Sequence, residues 1–262
     1  MQALRTAATG MAAQQLNVEV ISNNIANMNT VGFKKQRAEF EDLLYQTIVQ
    51  PGSQSSDSGT VVPTGVQIGA GVKAGSVYRI TGQGTLSNTG NSFDMAINGA
   101  GYFQVQMPDG TTAYTRAGNF SVNDQGQLVT EDGYLVQPSI TIPQNVTNVT
   151  ISQQGQVQVT TAGTTAPTTV GQVQLATFLN DAGLEAMGNN LFTESGASGP
   201  ATAGNPGATG YGVVMQGYTE ASNVDPVSEI TDLIVAQRAY EMNSKVVTTA
   251  DQMLSTAVNT KS

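Results

Sequence analysis

Hydrophobic periodicity changes twice along this 262-residue chain, and that change restricts the fold more than any other feature. Leu4, Met11, Val18 and Ile25 lie seven residues apart. Ala7, Ile21 and Met28 fill the second position of the same heptads, with Gln14 as the interruption. The spacing predicts a helix about 40 Å long at 1.5 Å per residue. It closes where Asn27, Asn29 and Gly32 offer residues tolerant of left-handed backbone. At the other end Asp225 reads as an N-cap, with Pro226 in the first helical position. Leu233, Tyr240, Val247 and Leu254 repeat the seven-residue spacing, and Ala236, Ala250 and Ala257 mark a row of small residues where helices approach closely. Both seams are narrow and flanked by Ala, Gln, Ser and Thr. A lone antiparallel pair would bury little area against the ordering entropy of about 60 residues. Further copies of the chain are therefore expected to complete the core, with the ends mobile before assembly.

Between the ends the period becomes two. Tyr102 to Met107, Asn119 to Val122, Ser139 to Ile142, Val149 to Ser152, Gln156 to Thr160 and Gln172 to Leu179 read as strands. Asn98-Gly99, Asp109-Gly110, Asp132-Gly133 and Gln154-Gly155 are the turn candidates. Strands so closely spaced predict an antiparallel sandwich or irregular barrel. The expected fold class is α+β: N- and C-terminal coiled-coil helices packed together, an extended or β-hairpin segment, and a central antiparallel β domain. The expected boundaries are 1–32 for the first helix, 33–71 for the connecting segment, 72–222 for the β domain and 223–262 for the second helix. Two stretches, Gln50 to Gly59 and Gly196 to Gly212, have the Gly, Ser and Pro content of linkers. The second is read as a flexible linker; the first is not, for a reason given below.

Charge and missing residue types remove whole classes of function. Only 11% of the residues are charged, against about 25% in an ordinary soluble domain. Roughly a third are Ser, Thr, Asn or Gln. The formal net charge is -9, and most of the imbalance falls between residues 50 and 220, where Lys73, Arg79 and Arg116 are the only cations. Such a surface repels a phosphate backbone, so nucleic acid is excluded as a partner. With no His and no Cys the chain has no Ser/His/Asp triad, no Cys/His dyad, no His or Cys zinc site and no disulfide. Gly69-Ala70-Gly71 and Gly82-Gln83-Gly84 do not complete a dinucleotide loop. Glu131 and Asp132 are adjacent, so on a strand their carboxylates diverge. Asn123-Asp124-Gln125-Gly126 lacks the alternation and terminal Glu of a calcium loop. No catalytic residue, metal site or cofactor is expected, and the chain is not read as an enzyme. Its longest apolar run, Leu233 to Ala236, falls far below the roughly 18 residues of a membrane span, so no membrane insertion is expected. Gln14 and Gln15 interrupt any secretory-signal core, which leaves a cytosolic home or a non-standard export route.

Ser22-Asn23-Asn24-Ile25-Ala26-Asn27-Met28-Asn29-Thr30-Val31-Gly32-Phe33-Lys34 resembles the N-terminal signature of the bacterial flagellar rod and hook proteins. Gln237-Arg238-Ala239-Tyr240-Glu241-Met242-Asn243-Ser244-Lys245 resembles their signature at the other end. Within that family the likeness is to its distal rod type. It rests on length, on Glu41-Asp42-Leu43-Leu44-Tyr45-Gln46-Thr47-Ile48 leading into Gln50-Pro51-Gly52, and on Thr177 to Glu185. The likeness runs nearly end to end and is weakest around 160–170 and 196–210.

The resemblance implies a structural subunit of the flagellar distal rod, a rigid hollow helical shaft that transmits motor torque to the hook and carries the export channel. The implied assembly core is Leu4, Met11, Val18, Ile21, Ile25, Leu233, Tyr240, Val247 and Leu254. The register-fixing motifs are Asn23, Asn24, Asn27, Asn29, Thr30, Gly32 and Phe33, and then Gln237, Arg238, Ala239, Tyr240, Glu241, Asn243 and Lys245. In the family the segment after the first helix is extended and packs between subunits. The stretch corresponding to Val49 to Gly71 marks the distal rod type and goes with a straight, stiff rod, so Gln50 to Gly59 is not read as a linker. The implied partners are further copies of the chain, proximal rod proteins, the hook protein, the P-ring and L-ring proteins, the export apparatus and the rod cap. The implied location is the basal body, in a rod spanning the periplasm, reached by type III export without a cleaved signal peptide. Two other readings stay open: another axial protein (a proximal rod or short hook subunit), and a secreted β-rich carbohydrate-binding protein.

Overall fold

The computed structural model describes residues 2–52, 63–163 and 166–259. They cluster into two compact units, one drawn from 2–25, 36–52, 63–78 and 225–259, the other from 26–35, 79–163 and 166–224. The expected fold class holds: two terminal helices pack together, and the middle of the chain is an antiparallel β structure.

The first unit contains helix α1 (Gln2–Ala26), strands β1 (Gln36–Asp42), β2 (Tyr45–Val49), β3 (Val66–Gly69) and β4 (Val72–Arg79), and helix α2 (Pro226–Asn259). Asp225 starts α2 as its sequence position predicts: its Oδ1 accepts the Val227 N–H at 3.3 Å and its carbonyl accepts the Glu229 N–H at 3.1 Å. After α1 only Gly32 takes left-handed backbone, at φ 70°. Asn27 and Asn29 do not, which corrects the expectation for them; Asn27 acts through its side chain instead, accepting the Thr30 hydroxyl at 3.1 Å. Strand β1 pairs with β4, and β2 pairs antiparallel with β3 from Tyr45 opposite Gly69. Leu44, Tyr45, Ile48, Val66 and Ile68 on and beside this second ribbon are exposed. Residues 53–62, which hold most of the Gln50 to Gly59 stretch and the centre of the Val49 to Gly71 stretch, lie outside the described residues.

The second unit is the β body. Strands β5 to β11 follow at Leu86–Asn88, Met95–Asn98, Tyr102–Gln106, Thr112–Thr115, Ser121–Val122, Leu128–Val129 and Leu135–Gln137. Strands β12 to β14 lie at Val146–Ile151, Gln156–Thr161 and Thr168–Gln172; β15 to β20 lie at Leu175–Thr177, Glu185–Gly188, Leu191–Thr193, Thr202–Gly204, Val213–Gln216 and Tyr218–Glu220. The main sheet runs β16-β17-β8-β7-β11-β10-β9, with β15 joining β7 to β18, and β12, β13 and β14 make a separate sheet.

Strand β7 shows why the period-two reading works. Phe103 and Val105 point into a core with Met95, Ile97, Phe120, Val136 and Val214, where the Phe103 and Phe120 rings meet edge to face at 5.1 Å. Tyr102 points the other way, into a smaller cluster with Tyr114, Leu184 and Phe192. Gly110, Gly133 and Gly155 turn the hairpins β7-β8, β10-β11 and β12-β13 with positive φ, as their dipeptides predict.

Four expectations need correction. Ser139 to Ile142 is not a strand: Thr141 makes one isolated bridge to Gln127, while Ile140 and Ile142 are buried. Gln172 to Leu179 divides between the end of β14 and β15, because the Val173 N–H turns to the Gly155 carbonyl at 2.8 Å. Asn98-Gly99 makes no hairpin, since β6 pairs with β19 and not with β7. Gly196 to Gly212 is not a flexible linker: β18 lies within it and pairs with β15, Ser198 is 1% exposed, and the Tyr211 hydroxyl donates to the Thr202 carbonyl. Two of its glycines serve close approach: an added Cβ would fall 2.4 Å from the Tyr211 ring at Gly204 and 2.7 Å from the Asn98 carbonyl oxygen at Gly212.

Candidate functional site

The two helices meet along small residues. Ala7, Ala13, Val20, Ile21 and Asn24 are buried on α1, and Glu229, Ala236 and Ala250 on α2. Gly10 lies against the Asn243 side chain, and Asn24 bonds Glu229. The two contacts are equally spaced along both helices, so the pair is antiparallel and in register. Of the residues expected in the assembly core, Ile21 is buried. Leu4, Met11, Val18, Ile25, Leu233 and Val247 are half-buried, whereas Tyr240 and Leu254 are 42% and 41% exposed. Val18 and Tyr240 come together, with Gln15, Glu19, Gln237 and Glu241, around a groove of about 330 Å³. The Ala row predicted for close approach is buried at Ala236 and Ala250 but exposed at Ala257. The large apolar residues of α2 are thus displaced from the contact made within the chain. Ile234, Val235, Met242, Val246 and Met253 are exposed beside them.

The buried polar centre of this unit is Asn24, 1% exposed. Its Nδ2 donates to the Gln36 carbonyl at 2.8 Å and to Glu229 Oε2 at 3.1 Å, while its Oδ1 accepts the Gln36 N–H at 2.8 Å. One amide therefore completes the backbone of β1 and ties α1 to α2. Asn24→Ala removes the partner of a backbone N–H, a carbonyl and a carboxylate, and is expected to cost about 2–4 kcal/mol. Thermal unfolding of the helical circular dichroism checks this. Asn24→Asp sets a carboxylate against Glu229; repulsion disfavours the ionised form of the introduced acid, so that variant's midpoint should climb as the pH falls from neutral into the carboxylate range. A midpoint independent of pH would contradict it.

Among the other motif residues, Gly32 is buried, and Asn27, Thr30, Phe33, Ala239 and Asn243 are half-buried. Asn23, Asn29, Gln237, Arg238, Glu241 and Lys245 are exposed.

Sequence reasoning missed a second polar centre, in the β body. Lys34, the last residue of the N-terminal signature, is 3% exposed, and its Nζ donates to Glu220 Oε1 at 2.5 Å and to the Gly82 carbonyl at 2.9 Å. Glu220, 1% exposed, also accepts the Gly84 N–H at 2.8 Å. Arg116 lies 3.7 Å from Glu220 Oε2, donates to the Gly99 carbonyl and stacks its guanidinium over the Tyr102 ring. Burial pulls the Lys34 ammonium below its ordinary pKa against the opposing pull of Glu220. Burial also lifts the Tyr102 phenol to about 12. The available signal was scarcity: Arg116 and Arg79 are two of the three cations between residues 50 and 220. Both turn inward, Arg79 donating to the Leu184 carbonyl and lying over Phe192.

Among the described residues no helix is long and apolar enough to cross a membrane. Three segments match family models: residues 4–34 a flagella basal body rod protein, 96–159 the flagellar hook protein FlgE/F/G D1 domain, and 215–260 the flagellar basal body rod FlgEFG protein C-terminal region. The chain is 72% identical over 254 residues to the flagellar basal-body rod protein FlgG of Caulobacter vibrioides, covering 97% of each chain. It is 47% identical to that of Borreliella burgdorferi over 263 residues, 100% of this chain and 99% of the relative. It is 42% identical to that of Bacillus subtilis over 267 residues, with the same coverage. Asn24, Lys34, Arg116, Glu220 and Glu229 all fall inside the segments that match the family models.

Proposed function

The chain belongs to the family of FlgG flagellar basal-body rod proteins, and from that premise we propose that it polymerises into the distal rod as a rigid hollow shaft. It is a structural subunit of the rod and resides in the flagellar basal body. In the proposed assembly residues 1–32 and 223–262 form the inner core around the export channel, 33–71 connect, and 72–222 face outward. Leu4, Met11, Val18, Ile21, Ile25, Leu233, Tyr240, Val247 and Leu254 meet their counterparts in neighbouring copies. The two motifs fix register. Proximal rod proteins, hook protein, the P-ring and L-ring proteins, the export apparatus and the rod cap are its partners, and the chain catalyses no reaction.

One observation carries this reading. The helix pair uses small residues for its own contact and leaves an apolar row on α2 uncovered, from Ile234 to Leu254. A patch that docks on a different patch of the next copy, without closing a ring, generates a helical filament. Electron microscopy of polymer grown from the full chain tests it. A hollow tube with α1 and α2 at the smallest radius is expected; a closed ring, or a tube with the β body innermost, would refute the proposal. Deleting residues 49–71 tests the distal assignment. A distal rod should lose straightness or stop assembling, whereas unaltered straight polymer would assign the chain to another axial position.

A further inference from the structure

Residues 26–35 dock on the β body mainly through polar contacts. The Gly32 N–H donates to the Glu220 carbonyl at 2.7 Å, Asn190 Nδ2 to the Val31 carbonyl at 3.0 Å, and the Lys35 N–H to Asn223 Oδ1 at 2.7 Å. The Lys35 carbonyl accepts the Ile80 N–H at 2.9 Å. The segment pairs into no strand. Among the described residues, the two hydrophobic clusters of the body draw their members from between Phe93 and Val214 and take none from 26–35. The core is complete without this segment, whose one buried charge is Lys34.

Beneath the segment, Arg116 and Glu220 are set for a second arrangement. Arg116 Nη1 and Glu220 Oε2 face each other at 3.7 Å, and both are buried without a hydrogen bond, as is Arg116 Nε. Glu220 instead gives Oε1 to Lys34 and Gly84, while the guanidinium is held on the Gly99 carbonyl. If Lys34 withdraws, a small swing of Arg116 closes the gap and makes a charge-assisted bond. Abandoning a buried carboxylate is costly; exchanging one cation for another is not. We infer that residues 30–35 form a releasable strap, and that Glu220 trades Lys34 for Arg116 when the strap opens. Opening lengthens the tether that follows α1 and leaves the core of the β body closed.

Hydrogen exchange on the full chain tests this, read at the Gly32 and Lys35 amides for the strap and at the β7 amides for the body. In the unaltered chain the strap amides should exchange at least about tenfold faster than those of β7. Lys34→Gln should speed the strap about tenfold more and leave β7 within about twofold. Arg116→Gln should have little effect on β7 alone, but in the Lys34→Gln chain it should speed β7 exchange by about tenfold or more, because Glu220 then has no cation. Equal acceleration of strap and β7 in Lys34→Gln, or failure of that variant to fold, would overturn the inference by showing the segment to be integral to the body. An Arg116→Gln effect of the same size in both backgrounds would overturn the exchange of partners.

Discussion

Glu220→Ala is expected to remove about 3–5 kcal/mol from the β body, the cost of leaving a buried cation without its anion. Arg116, 5% exposed, keeps its charge but loses the carboxylate 3.7 Å away, Lys34 loses its ion-pair partner, and the Gly84 N–H loses its acceptor. Such a loss is a large share of the roughly 5–15 kcal/mol that holds an ordinary domain together. It corresponds to a fall of about 10–15 °C in the unfolding midpoint for a body of this size. Thermal unfolding followed through the near-ultraviolet signal of Tyr102 and Tyr114 measures it, because both rings lie in the smaller cluster. Glu220→Gln keeps the shape and an acceptor for Gly84, so its loss should be smaller. A fall of less than about 1 kcal/mol in the alanine variant would show that the ion pair contributes no more than one at the surface.

That centre also marks where sequence reading stopped. The terminal helices were legible because each carries its own period and, at α2, its own start signal in Asp225 and Pro226. Strand β7 and the Asp109-Gly110 turn were legible for the same reason, being specified by neighbours. Lys34, Arg116 and Glu220 are brought together from three distant segments, and nothing local to Glu220 separates it from the other acids of an acidic chain. The Gly196 to Gly212 stretch failed differently. Composition predicts flexibility, but β18 pairs with β15, and Gly204 and Gly212 allow close approach, visible only once Tyr211 and β15 are in place. Asn24 was marked by its motif, yet the Gln36 backbone as its partner was not readable from spacing.

Leu254→Glu and Tyr240→Glu should abolish polymer while leaving the isolated chain folded. Both side chains are about two-fifths exposed in the lone chain, so a carboxylate there meets water. In the shared core each would replace an apolar side chain whose full burial contributes about 1.5–3 kcal/mol and would leave a charge without a partner. A combined penalty of about 4 kcal/mol raises the concentration needed for assembly about a thousandfold. Sedimentation should then find no polymer at concentrations where the unaltered chain pellets, and cells carrying either variant should not swim. The unfolding midpoint of the β body should stay within about 1 °C. Polymer at the unaltered concentration would remove these two positions from the core.

The pairing of β6 with β19, from Met95 opposite Gln216, and of β5 with β20 has a consequence in time. Hairpins such as β7-β8 need only a few residues between their strands and can form as soon as both have emerged. The strands that close the body are more than a hundred residues apart, and the entropy of closing that loop must be met before any of their contacts form. A chain appearing N-terminus first therefore holds partial hairpins without a finished core until almost its last strand is out. Closure of the body through these two pairings waits for the arrival of residues 213–220.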